Sequence, residues 1–157
     1  MQLNPQAKEK LETALSRKGM RPTRQREQVF AVIYESDDHP SADVVYSRVK
    51  ELMPSISLAT VYNCLETLTD CDLIRQVNFE REPSRYCYSK EHCKHHAHFH
   101  CKNTGKVIDV DLPNEFIESL SQYLPQGFQI DKIDLTLSGS CCGIPQDPVE
   151  RTPSFTR

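Results

Sequence analysis

An α+β fold, with helices in the first half of the chain and strands in the second, follows from two changes of pattern along the sequence. Up to about residue 70 the apolar residues recur every three or four positions, which places them on one face of a helix. Beyond it they mostly alternate, as the two faces of a strand require. A third observation fixes where the chemistry is concentrated. Five of the six histidines and three of the seven cysteines fall between Tyr86 and Asp111.

The first helix is marked by Ala7, Leu11, Ala14 and Leu15, with Gly19 placed to end it. Thr23 is the expected N-cap of a second, which carries Val29, Phe30, Ile33 and Tyr34 on one face. After the loop DDHPSA, Ser41 caps a third with Val45, Val49, Leu52 and Met53 on one side, and Pro54 stops it. A tight connection leads to a fourth helix from about Ser57. Leu58, Val61, Leu65 and Leu68 form its buried stripe, and Thr60, Tyr62, Asn63 and Thr67 face outward. Two short helices joined by a four-residue turn fit a helix-turn-helix. Residues 73–79 and 84–89 then read as a hairpin around a polar tip, the wing of a winged helix.

The second half is a small α/β unit. Residues 96–101 and 106–110 are strands closed by Asn103, Thr104 and Gly105, where glycine permits positive φ. Pro113 opens a helix to about Leu124 with Phe116, Ile117, Leu120 and Leu124 on one face. Residues 128–137 form a last strand, with Ile130, Ile133, Leu135 and Leu137 mostly on one side. The expected organisation is a winged-helix domain over 1–83, an α/β domain over 84–139, and a flexible tail over 140–157 whose three prolines and low apolar content resist folding.

Composition excludes several classes of protein. At 157 residues, 38% hydrophobic and 26% charged, the chain is ordinary for a soluble globular protein. Its start has no basic-then-apolar signal, and no run is long enough to span a bilayer, so a cytoplasmic location with no membrane partner is expected. An odd cysteine count without a secretory signal disfavours a disulfide framework. The net charge of −3 argues against wholesale polyanion binding. A local basic face remains: Lys8, Lys10, Arg17, Lys18, Arg21, Arg24 and Arg26 outnumber Glu9 and Glu12 in the first segment. Arginines there can neutralise phosphates or enter a narrow minor groove, although the start of a helix is electrostatically unfavourable for them.

His96, His98 and His100 alternate, so two or three imidazoles project from one strand face and can converge on a metal. Cys87 and Cys101 flank them and Asp109 follows the turn, offering thiolate and carboxylate partners. A lone surface histidine ligates nothing as a rule. Alternation with Ala97 and Phe99 gives a half-buried strand instead of a solvated histidine tract. A hydrolytic zinc centre with Glu91 or Asp111 as base is the competing reading of this cluster, but no HExxH-like pattern accompanies it, and no enzyme is expected.

Over about residues 8–140 the chain resembles the ferric uptake regulator superfamily of metal-sensing repressors, a resemblance carried by the strings RPTRQREQV, HPSADVVY, SLATVYNCLETL and HHAHFHCKNTGKVIDV. The resemblance implies a winged-helix domain hinged to a dimerisation domain, with metal closing a homodimer onto A·T-rich inverted-repeat operator DNA. It implies one regulatory divalent metal per subunit held by His39, Cys87, His96, His98 and Asp109. It also implies DNA contacts from Arg21, Arg24, Ser57, Thr60, Tyr62 and Asn63, where Asn63 replaces a usual arginine. Asp109 is what peroxide-responsive members carry, pointing to iron or manganese and to peroxide sensing. Cys87 stands where those members have a carboxylate and points to zinc sensing, the alternative. The two CxxC pairs of the family's structural zinc are broken, reading Cys101-Lys102-Asn103-Thr104 and Cys141-Cys142-Gly143-Ile144. Cys93, Cys101, Cys141 and Cys142 are left as a partial thiolate site, inert or redox-labile in preference to a structural zinc.

Overall fold

The computed structural model describes residues 3–88, 95–131 and 133–141. Four helices come first: α1 (Pro5–Arg17), α2 (Arg24–Tyr34), α3 (Ala42–Leu52) and α4 (Leu58–Asp70). Their starts are set by local chemistry. The side chains of Asn4, Thr23, Ser41 and Ser57 accept hydrogen bonds from the backbone N–H of Ala7, Arg26, Val44 and Thr60, each satisfying a donor that a helix start leaves open. Gly19 turns the chain after α1 at φ 68°, a conformation costly for a residue with a Cβ.

A hairpin follows, β1 (Ile74–Val77) paired antiparallel with β2 (Arg85–Tyr88), the wing of an N-terminal winged helix-turn-helix. The division expected at residue 83 falls between these two strands. Alternation along β2 turns its faces to two different cores. Tyr86 and Tyr88 pack into the helical core with Phe30, Ile33, Leu11, Val45, Val61 and Leu65. Cys87 points the other way, into a smaller cluster with Val77, Phe79 and Val107. The hairpin is therefore the layer shared by both halves of the molecule.

The second half is a three-stranded sheet in the order β4-β3-β5, with β3 (His95–Cys101) central, β4 (Val107–Asp111) antiparallel to it and β5 (Ile133–Gly139) parallel. Helix α5 (Asn114–Ser121) joins β4 to β5. The chain is thus α+β, a winged helix followed by a small α/β unit.

Four expectations are corrected. The last strand begins at Ile133 and not near 128, and Phe128 is 68% exposed. Helix α5 stops at Ser121, short of Leu124, and buries none of its residues within this chain. Leu58 is exposed at the first turn of α4, and Cys64 takes its place on the buried stripe. Leu52, in the last turn of α3, is also exposed. In each case an apolar periodicity continues beyond the surface that the fold supplies to cover it. The expected flexible tail, from 142 onward, lies outside the described residues.

Candidate metal centre

His39 occupies a loop that the sequence would leave loose, yet it is 4% exposed. Two long-range contacts hold that loop against the wing. Tyr86 N–H donates to the Pro40 carbonyl at 3.0 Å, and Ser41 forms a bridge with Arg85. They set His39 beside Cys87. The His39 backbone sits at φ 50°, a left-handed conformation that histidine tolerates better than most residues and that persists where surroundings enforce it.

Across from it, β3 presents His98 and β4 presents Asp109, direct partners in the antiparallel register. His39 Nε2 lies 2.9 Å from Asp109 Oδ1, His98 Nε2 lies 3.4 Å from the same oxygen, and Cys87 Sγ lies 3.5 Å from His98 Nε2. The two imidazole rings meet edge to face with centroids 5.2 Å apart. The ligating atoms of His39, Cys87 and His98 all fall within 4.8 Å of one another, and all three residues are buried. A tetrahedral ion with nitrogen and sulfur ligands at ~2.0–2.3 Å would hold them roughly 3.3–3.8 Å apart. The donor set therefore fits a divalent transition metal in type and in spacing.

The electrostatics point the same way. Burial first, and then the negative charge of Asp109, push the Cys87 thiol up to about 12. A thiol that burial and a neighbouring carboxylate keep protonated is one that a cation would convert to thiolate, since the ion's charge reverses the local balance.

Of the other residues singled out from the sequence, His96 has its backbone on β3 two positions before His98, opposite Asp111, and its side chain lies outside those described. Cys93 and Cys142 also lie outside the described residues. His100 does not join the cluster. A strand advances ~6.8 Å over two residues, and that carries the ring to the wing, where it stacks on Phe79 at 4.7 Å and places Nε2 3.1 Å from Glu82 Oε1. Glu82 and Arg75 are contacts the sequence did not disclose. Arg75 reaches Asp134 of β5 at 3.5 Å, a second tie between wing and sheet. Their only signal was charge on a hairpin, which reads as solvent-facing.

On the helix-turn-helix, Tyr62 is 47% exposed and Asn63 is exposed beside it on α4. Arg24, at the start of α2, and Arg21, in the segment before it, are exposed, and the Arg21 carbonyl accepts a hydrogen bond from the Arg26 guanidinium at 2.7 Å. Ser57 and Thr60 are engaged with each other: their hydroxyls are 2.8 Å apart, and Ser57 Oγ also accepts the Thr60 N–H. No helix among the described residues is long and apolar enough to cross a membrane.

A winged helix whose hairpin shares a buried His/Cys/His cluster with a following sheet defines a metal-responsive regulator. The chain matches the ferric uptake regulator family over residues 17–138 and belongs to it. It is 30% identical over 132 residues to the peroxide-responsive repressor PerR of Staphylococcus saprophyticus subsp. saprophyticus, covering 82% of this chain and 85% of that one. Among solved structures it is similar to the Helicobacter pylori ferric uptake regulator Fur, with a TM-score of 0.72 and 26% identity over 90% of this chain and 94% of the other. A zinc-bound manganese uptake regulator matches at a TM-score of 0.64 and 31% identity, over 85% and 99% of the two chains.

Proposed function

We propose that this protein is a metal-dependent transcriptional repressor that binds operator DNA as a homodimer and senses iron and hydrogen peroxide. One observation carries the reading: the cluster draws His39 and Cys87 from the winged-helix half and His98 and Asp109 from the sheet half. One divalent ion per subunit, held by these four side chains with His96 as a further ligand, ties the two halves at one angle. An ion that binds the closed arrangement better than open ones shifts the population toward it, and the separation of two recognition helices in a dimer is thereby set. In this reading the domain division is drawn after the second wing strand instead of at residue 83, supported by the pairing of β2 with β1 and by Tyr86 in the helical core.

The exposed faces agree with these roles. Tyr62 and Asn63 lie on α4 of the helix-turn-helix, and Arg21 and Arg24 just before and at the start of α2, open to phosphates and base edges of an A·T-rich inverted repeat. Ser57 and Thr60 contribute by fixing the start of α4 in addition to any contact with phosphate. Phe116, Leu124, Phe128 and Leu137 expose apolar surface on the sheet half, which a second copy would bury.

Peroxide sensing is supported by the carboxylate of Asp109 beside both imidazoles and by the likeness to a peroxide-responsive repressor. Zinc sensing is the second reading, favoured by the buried Cys87 sulfur, a soft donor 3.5 Å from His98. Metal analysis after anaerobic purification, gel shifts with and without chelator, and peptide mass spectrometry after peroxide separate the two. Bound iron and one oxygen gained on the His39 or His96 peptide support peroxide sensing. Bound zinc with unmodified histidines supports the alternative, and DNA binding indifferent to chelators overturns both.

A further inference from the structure

On the face of β3 opposite the metal cluster, the strand ends in a second juxtaposition. Residues 97, 99 and 101 share that face, and Cys101, at its end, is 4% exposed. Its backbone is firmly placed: the Cys101 N–H donates to the Lys106 carbonyl at 2.9 Å, and the Cys101 carbonyl accepts from Gly105 at 2.8 Å. Next to it β5 finishes at Gly139, whose carbonyl accepts the Lys102 N–H at 2.7 Å. Two residues further on, the half-buried Cys141 returns its side chain to Cys101, and the two sulfurs stand 3.0 Å apart as thiols.

We infer that Cys101 and Cys141 are a dithiol switch, oxidised by a small hydroperoxide to an intrachain disulfide that staples the end of β3 to the end of β5. Only about 1 Å separates the present spacing from the ~2.0 Å of a sulfur–sulfur bond, so the two sulfurs are already placed for closure. The side-chain contacts with Thr104 and then with Cys141 bring the Cys101 thiol down to about 6, so Cys101 is the nucleophile. The Cys101 thiolate attacks one peroxide oxygen. A sulfur–oxygen bond forms, the oxygen–oxygen bond breaks, and the leaving hydroxide (or alkoxide) takes up a proton. The Cys141 sulfur then attacks the sulfenic sulfur of Cys101. The sulfur–sulfur bond forms as the sulfur–oxygen bond breaks, and the departing hydroxide leaves as water with the Cys141 proton. Overall, two thiols are oxidised and one hydroperoxide is reduced.

The closed loop would contain β4, α5 and β5, nearly the whole sheet half beyond β3. Restricting its unfolded ensemble stabilises the native sheet. The pair takes no ligand from the metal cluster, so this inference does not depend on which ion, if any, that cluster senses.

The test treats the reduced full-length protein with hydrogen peroxide, blocks remaining thiols with iodoacetamide, and maps peptides by mass spectrometry. The expected product has lost two hydrogens, carries a Cys101–Cys141 cross-linked peptide that dithiothreitol opens, and melts several degrees higher than the reduced protein. Cys101→Ser removes the cross-link and the gain in melting temperature. Cys141→Ser, at a half-buried position, stops at a sulfenic acid on Cys101 that dimedone traps. Three results would overturn the inference: both cysteines alkylated in full after peroxide, Cys101 joined to Cys93 or Cys142 instead, or thiols blocked in the isolated protein by stoichiometric zinc. Because the readout is two hydrogens lost at cysteine, it is distinct from oxygen gained at histidine, and either can fail without the other.

Discussion

The helical half and the sheet half of this chain solve the same problem of burial differently. Around α2 the solution is internal: Leu11, Leu15, Phe30, Ile33, Leu65 and Leu68 are essentially free of solvent, and the wing strand closes the cluster with Tyr86 and Tyr88. The sheet half buries Ala97, Val107 and Ile133 but leaves Phe116 at 39%, Leu137 at 45% and Phe128 at 68% exposure. A unit that cannot cover its own apolar surface needs another surface to do so. The first half therefore has the features of a domain that folds alone. The second is held by the wing on one side and, in the proposed function, by a second copy on the other.

Several experiments would sharpen or break that contrast. The largest effect should come from Phe30→Ala, which opens a cavity in the closed core and should cost ~3–5 kcal/mol in denaturant unfolding. A much smaller loss would mean that the helical half is not the stable partner. Next is the ion. Removing metal present at ~100 times its dissociation constant should forfeit ~2.7 kcal/mol of stability, and His98→Ala should abolish that increment while leaving the metal-free protein folded. If His98→Ala still responds to metal in a thermal melt, the cluster is misassigned. Tyr62→Ala should weaken binding to A·T-rich operators by ~1–3 kcal/mol with only a small shift in melting temperature, since its ring is about half exposed. Equal weakening on every sequence would give Tyr62 a phosphate role.

Smaller effects follow on the sheet side. Leu137→Ala should weaken self-association by ~1 kcal/mol or more in sedimentation experiments, with little change in the unfolding of the helical half. The last prediction concerns pH. The Cys87 thiol, ordinarily near 9.0, is held up to about 12 in the folded chain, so what it contributes to stability is complete below pH 9 and is lost as pH rises from 9 through 12. Metal-free protein should lose stability across that interval. Cys64 and Cys71, which burial also pushes up, share in the loss, so the part due to Cys87 is the difference from Cys87→Ala. An identical alkaline slope in the variant would place the Cys87 sulfur in a wetter site than this fold gives it.

Much of the helical half could be read from residues alone because its determinants are local. A cap such as Thr23 bonds Arg26 three positions on, and the stripe of Val61, Leu65 and Leu68 repeats with the helix. The sheet half was less legible. Its last strand was placed about five residues early, because Phe128 and Ile130 continue an alternation that no neighbouring strand pairs with. His100 shared the alternation of His96 and His98 and went to Glu82 instead, since facing one side of a strand does not bring two side chains to one point. The family resemblance named His39, Cys87, His96, His98 and Asp109 together, and the His96 side chain lies outside those described. Spacing could not have joined His39 to the rest.

Residue order fixed the helices, their caps, the wing and the supply of imidazole and thiol donors, all of which depend on neighbours a few positions apart. Folding chose which donors meet. His39 reaches Asp109 across seventy positions because Pro40 is bonded to the wing, and Cys87 faces the sheet because Tyr86 and Tyr88 are claimed by the helical core. Contacts of that range depend on how two cores pack against one shared hairpin. No periodicity within either half contains that information.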